Sequence, residues 1–109
     1  MRLDITFRQI DASDEIRQWV ERRVEKVARF LRPPIEAHVV LREEKFRQIA
    51  EITVKAAGEG AYVASAEAED IRTAIDLVMH KIESAVRRAH DRRVDHRRHQ
   101  VDADEQAAL

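Results

Sequence analysis

Three arginine pairs, Arg87/Arg88, Arg92/Arg93 and Arg97/Arg98, recur at five-residue spacing near the end of the 109-residue chain. Five residues advance an α-helix by about 140° beyond a full turn, so these pairs spread around a helical cylinder and form no single stripe. Guanidinium groups placed all round a rod suit phosphates on several sides. They equally suit a solvated helix end, where the macrodipole favours cations. A second cluster, Arg22, Arg23, Lys26 and Arg29, lies earlier, and positions 22, 26 and 29 share one helical face. Glu21 and Glu25 offer that cluster ordinary surface ion pairs, each worth roughly a few tenths of a kcal/mol.

Other polar residues do not assemble into a reactive set. His90, His96 and His99 sit among the arginines at a spacing unlike a compact metal site, and the surrounding positive charge repels a cation. The absence of cysteine excludes disulfides, thiolate ligands and thiol nucleophiles. Glu43-Glu44 falls in an expected turn and Glu67-Glu69-Asp70 at an expected helix start, so no general acid faces a general base. Gly58-Glu59-Gly60 is too short to cradle a phosphate and has hairpin context instead. The chain reads as a non-enzyme with no cofactor and no metal.

Charge is distributed unevenly along the chain. The net charge is only −1, yet residues 80–100 hold seven Lys/Arg against three Asp/Glu, a net of +4. Residues 1–79 hold 13 against 15, and the last nine residues carry Asp102, Asp104 and Glu105. The field near one surface, more than total charge, decides encounter with a polyanion. With 44% hydrophobic and 38% charged residues, the composition is that of one globular domain with a charged surface. No apolar run approaches the roughly 20 residues of a membrane span, and Met1-Arg2-Leu3-Asp4 lacks a signal-peptide core, so a soluble cytoplasmic protein is expected.

The elements that must position the basic clusters follow from periodicity. Leu3-Asp4-Ile5-Thr6-Phe7 alternates as a strand does. Ser13 is a good N-cap, followed by Asp14 and Glu15 in the first turn; Ile16, Val20, Val24, Val27 and Leu31 then recur at helical spacing until Pro33-Pro34. Trp19 and Phe30 border that stripe. Ile35, Ala37, Val39 and Leu41 form one face of a second strand and Ala50, Ile52, Val54 and Ala56 one face of a third, with Glu43 to Arg47 as the turn. After the glycine hairpin, Tyr62, Ala64, Ala66 and Ala68 give a fourth strand. Asp70 caps a second helix with apolar positions Ile71, Ala74, Ile75, Val78, Met79, Ile82, Val86 and Ala89. The predicted fold is α+β, β-α-β-β-β-α, a four-stranded mixed sheet with both helices on one face. A helix over 71–98 would be roughly 42 Å long. A strand of about eight residues spans only some 26 Å, so the arginine-bearing turns should overhang the core.

Laid end to end, these segments resemble the ribosome hibernation-promoting factor and ribosome-associated inhibitor family over residues 2 to about 93. Three stretches carry the resemblance: Leu3-Asp4-Ile5-Thr6 leading to Ile16-Arg17-Gln18; Glu25-Lys26-Val27-Ala28-Arg29-Phe30; and Ala64-Ser65-Ala66-Glu67-Ala68-Glu69-Asp70-Ile71-Arg72-Thr73-Ala74-Ile75-Asp76 with Lys81-Ile82-Glu83. The resemblance implies a domain that lodges on the small ribosomal subunit in the tRNA and mRNA path, contacts its rRNA, and inhibits translation in stress or stationary phase. Arg23, Lys26, Arg29, Lys81 and Arg88 match the family's basic pattern, and Arg87, Arg92 and Arg93 continue it. Arg72 stands where an aromatic residue is common, Ser84 where arginine is frequent, and Phe7 replaces a small or polar residue.

The expected division is a ribosome-binding domain at 1–95 and a charged, flexible tail at 96–109. The long members' dimerisation domain is not expected, so a monomer is anticipated when the protein is free. The brief acidic end inclines the reading slightly towards members that oppose ribosome pairing. Two other readings suit the same elements: a generic double-stranded-RNA-binding module, and an adaptor whose charged second helix docks on an acidic protein. The ribosomal reading requires that the arginines not be spent on internal carboxylates.

Overall fold

Alternation of apolar and polar residues makes three of the four strands one-sided, and the sheet they form is covered on that side alone. The computed structural model describes residues 1–94 with their side chains. Its elements are β1 (Arg2–Arg8), α1 (Asp14–Ala28), β2 (Ile35–Glu44), β3 (Arg47–Ala56), β4 (Gly60–Ala68) and α2 (Ile71–Ala108). The expected tail at 96–109, with Arg97 and Arg98, lies outside the described side chains.

The sheet order is β1-β2-β3-β4. β1 and β2 are parallel, from Arg2↔Glu36 to Arg8↔Arg42. The two following pairings are antiparallel hairpins. The core is built as the periodicity predicts: Val20, Val24 and Val27 of α1 meet Ala37, Val39 and Leu41 of β2, Ala50, Ile52 and Val54 of β3, and Ile75, Met79, Ile82 and Val86 of α2. Each large apolar side chain so buried contributes about 1.5–3 kcal/mol. Among the described residues, no polar or charged residue belongs to this core.

Both helix starts are capped by the expected residues. Ile16 N–H donates to the Ser13 hydroxyl at 3.3 Å. Asp70 accepts from the Thr73 amide at 3.0 Å and the Thr73 hydroxyl at 2.7 Å. These bonds, the side-chain one foremost, hold the Asp70 carboxyl below the ordinary aspartate range.

Three local differences from the sequence reading have physical causes. α1 ends at Ala28, earlier than the stripe to Leu31 suggests; Phe30 and Leu31 donate to Val27 and Ala28, a tightening to three-residue turns. Residues approaching a proline are pushed out of helical conformation, and Leu31 is nonetheless buried. The β2–β3 turn is only Lys45-Phe46, because Glu44 pairs directly with Arg47. A two-residue hairpin loop needs positive φ, which Lys45 supplies at 57°, leaving Phe46 93% exposed. Ile49 is buried although it sits on the face opposite the main core. Its cross-strand partner Arg42 bonds Glu51 at 2.9 Å and Glu44 at 2.6 Å, so that an ion-paired stem lies beside it.

Candidate nucleic-acid interface

The two helices lie side by side and run in the same direction. Glu15 pairs with Arg72, the Trp19 indole N–H donates to Asp76 at 2.9 Å, and the Arg87 guanidinium stands 5.6 Å from the Phe30 ring centre. Each pair joins residues 57 apart, so the two segments keep step from the first turn of α1 to just past its end. This pairing brings the end of α1 and the later turns of α2, with Arg29 and Arg93, to the end of the molecule that also carries the β3–β4 hairpin.

The nine expected site residues fall into distinct settings. On α1, Arg22 donates to the Gln18 carbonyl at 3.4 Å and lies 5.7 Å from the Trp19 ring centre, while Lys26 and Arg29 stand exposed on the same face. The expected surface pairs with Glu21 and Glu25 do not form among the described residues. Arg23 is different. It turns into the seam between the helices, 25% exposed, with Nε 3.8 Å from Asp76. That guanidinium joins α1 to α2 and is not turned outward with its neighbours.

On α2, Lys81, Arg88 and Arg92 share the side away from α1 by seven- and eleven-residue spacing. Lys81 donates to the Ser65 carbonyl of β4 at 2.8 Å. Arg88 and Arg92 donate to helix carbonyls one turn back, at 3.3 and 3.4 Å, and stay exposed. Arg87 faces α1 over Phe30. Arg93 points to the hairpin, where it pairs with Glu59.

The expected clearance of the helix beyond Ala89 needs correction. His90 meets Phe30 edge-on with ring centres 5.7 Å apart, and Arg93 is tied to a Glu59 side chain only 6% exposed. The cause is the β3–β4 hairpin, held by Gly58 and Gly60 at φ 76° and 71°, which carries Glu59 out to the level of α2 residue 93. Glu59 also accepts from the Tyr62 hydroxyl at 2.9 Å. Burial, and then that bond, push the Tyr62 phenol up from its ordinary value.

Two of the nine cations, Arg23 and Arg93, are thus paired within the protein, and seven form no ion pair among the described residues. Sequence reasoning missed Asp76 and Glu59 as their partners, and Arg32 as a further guanidinium at this end. Only Arg32 carried a signal, its place one turn beyond Arg29. Among the described residues, no group of His, Cys, Asp and Glu could hold a metal ion, and no helix is long and apolar enough to cross a membrane.

The chain is similar to known proteins in sequence and in fold. A ribosome hibernation promoting factor from Azotobacter vinelandii is 29% identical over 104 residues, which is 95% of this chain and 96% of that protein. A protein of the same name from Salmonella typhimurium is 29% identical over 96 residues, covering 88% of this chain and all of the relative. The crystal structure of the Thermus thermophilus Protein Y N-terminal domain superposes with a TM-score of 0.73 at 28% identity, over 81% of this chain and 98% of that one. A ribosomal subunit interface protein from Coxiella burnetii gives 0.70 at 26% identity, over 82% and 97%. A family profile described as sigma 54 modulation protein / S30EA ribosomal protein matches residues 3–94, the span of sheet and helices in which the basic surface is built, and the chain belongs to that family.

Proposed function

We propose that this protein binds the small ribosomal subunit in the tRNA and mRNA path and inhibits translation by occupying it, as a ribosome hibernation factor. The observation that carries this reading is the set of exposed cations along the two packed helices, Arg22, Lys26 and Arg29 on α1 and Arg87, Arg88 and Arg92 on α2, which form no ion pair among the described residues. Unneutralised guanidinium groups on a rigid pair of helices release counterions when they meet phosphates, which supplies affinity. The shape of folded rRNA supplies selectivity. Family membership and the names of the relatives support the ribosome as the partner. Inhibition needs no chemistry, because a ligand in the tRNA path excludes tRNA.

The test is co-sedimentation with purified small subunits across a salt series. About five phosphate contacts give a slope of log affinity against log salt of roughly −3.5 to −4.5. A flat response would remove phosphate contacts from the binding surface. Free duplex RNA as a competitor checks selectivity, and equal affinity for duplex and subunit would point to a general RNA-binding module instead.

A further inference from the structure

The sheet has two outer strands, and their free edges differ. At β4 the Lys81 ammonium reaches the Ser65 carbonyl, and a lysine is a common guard of an edge strand against another chain. At β1, among the described residues, no side chain hydrogen-bonds the backbone, and β2 is the neighbouring strand on one side alone. The inner side chains of β1 are also less covered. Leu3, Ile5 and Phe7 are half-buried, whereas Ala37, Val39 and Leu41 beside them in β2 are at 2% exposure or less. Open backbone groups next to a half-covered apolar row form a template for one more strand.

Charge selects that strand. On the outer face of β1, Asp4 and Arg8 stand exposed, and Arg8 forms no ion pair among the described residues. On the flank of α1 above β1, the Arg17 guanidinium lies 5.1 Å from the Phe7 ring centre, and Glu21 follows one turn later. Both are exposed, and neither forms an ion pair among the described residues. α1 runs antiparallel to β1. The roughly 6 Å from Arg17 to Glu21 along the helix match about two strand residues, which sets Glu21 level with Ile5.

A second β1 laid antiparallel on this edge fits in one register. With Thr6 opposite Thr6, Asp4 faces the partner's Arg8, Ile5 meets the partner's Phe7, and Arg17 comes level with the partner's Glu21, each twice by symmetry. Centring on Ile5 instead sets Arg2 against Arg8 and Glu21 against Glu21. Centring on Asp4 opposes two Asp4 carboxylates, and centring on Phe7 opposes two Arg17 guanidinium groups. A slip of one residue turns the apolar row to the wrong face. Strand and helix, two separate layers, thus favour the same two-fold.

We propose that this protein self-associates through β1, a second copy extending the sheet to eight strands about a two-fold axis at Thr6. The surface lies on the flank of α1 away from α2, since Glu15, Trp19 and Arg23 are the residues that face α2. It does not rest on the ribosomal reading. The monomer expected from the sequence is then the dilute form.

The experiment is sedimentation velocity on the full-length chain over a wide concentration series. The average mass should rise from 12.7 kDa towards twice that value, with half-association on the order of 100 µM, because one strand and one helix flank make a small interface. Arg17→Glu sets acidic groups against each other across the axis, and Glu21→Arg does the same with basic ones. Each should weaken association about tenfold. Mixed in equal amounts, the two variants are complementary, and dimer should return to the wild-type level. Should either variant unfold, amide exchange on the wild type decides: β1 amides should slow as concentration rises while β4 amides do not. A mass fixed at 12.7 kDa up to about 1 mM, no recovery in the mixture, or slowing at β4 instead of β1 would overturn the proposal.

Discussion

From Ile71 to Val86, α2 returns an apolar side chain to the sheet at every turn; from Arg87 to Val94 it carries four arginines, and no residue is fully covered. One continuous helical backbone spans both stretches, so the difference lies in what the side chains meet. In the first, Ile75, Val78, Ile82 and Val86 are at 0% exposure, and the free energy of the stretch comes from area removed from water. In the second, contacts with the rest of the protein shrink to Phe30, a hairpin carboxylate and the cleft between them. The first stretch supports the fold; the second is held out at a defined angle by the first. A rigid lever of this kind presents charge without backbone ordering cost at the moment of binding.

The comparison can be broken most sharply in the covered stretch. Ile82→Ala should destabilise the domain by about 2–5 kcal/mol in urea titration, because the surrounding helices and sheet cannot close the cavity. A loss below about 1 kcal/mol would mean that the stretch is not the support described here.

Next in size is the effect of reversing charge in the open stretch and its neighbour. Lys81→Glu with Arg88→Glu should weaken small-subunit binding on the order of 100-fold, two charge-assisted contacts being lost, and make the salt slope shallower by about two. Melting should stay within about 1 kcal/mol of wild type, as both side chains are exposed. Unchanged affinity in a normally melting double variant would take this side of α2 out of the interface.

A smaller effect concerns the start of the helix. The Asp70 carboxyl is held below its ordinary value in the folded state, so its stabilising contribution is full above the unfolded value of about 4 and is lost as pH falls through the folded one. Asn caps nearly as well and does not titrate. Asp70→Asn should therefore melt close to wild type at neutral pH and lose less stability as pH falls below about 4. Parallel acid profiles for the two proteins would show that the cap is not formed. The smallest effect is expected at Phe46, 93% exposed: Phe46→Ser should change stability by no more than about 0.5 kcal/mol in the same urea titration. A larger loss would reveal cover that the hairpin tip lacks here.

How much of this was legible beforehand depends on the range of the interaction. Element order, the inward faces of β2, β3 and β4, the apolar stripe of α2 and both caps were read from the chain, because periods of two and 3.6 residues and Ser13 or Asp70 before a helix are local signals. The candidate surface was half legible. Arg22, Lys26 and Arg29 share an outer face as their spacing predicts. Arg23 stands off that face, as the spacing of 22, 26 and 29 implies, but its partner Asp76 lies on the other helix and no residue of the run announces it.

What the sequence determined alone is therefore which residues can lie together on one face of an element, since backbone geometry repeats regardless of surroundings. Tertiary structure decided which charges are neutralised. Arg93 and Glu59 are 34 residues apart and Trp19 and Asp76 are 57 apart, and only the packing of hairpin and helices over a common sheet brings them within reach. Coulombic attraction acts across space and carries no period along the chain, so no pattern of spacing could announce it.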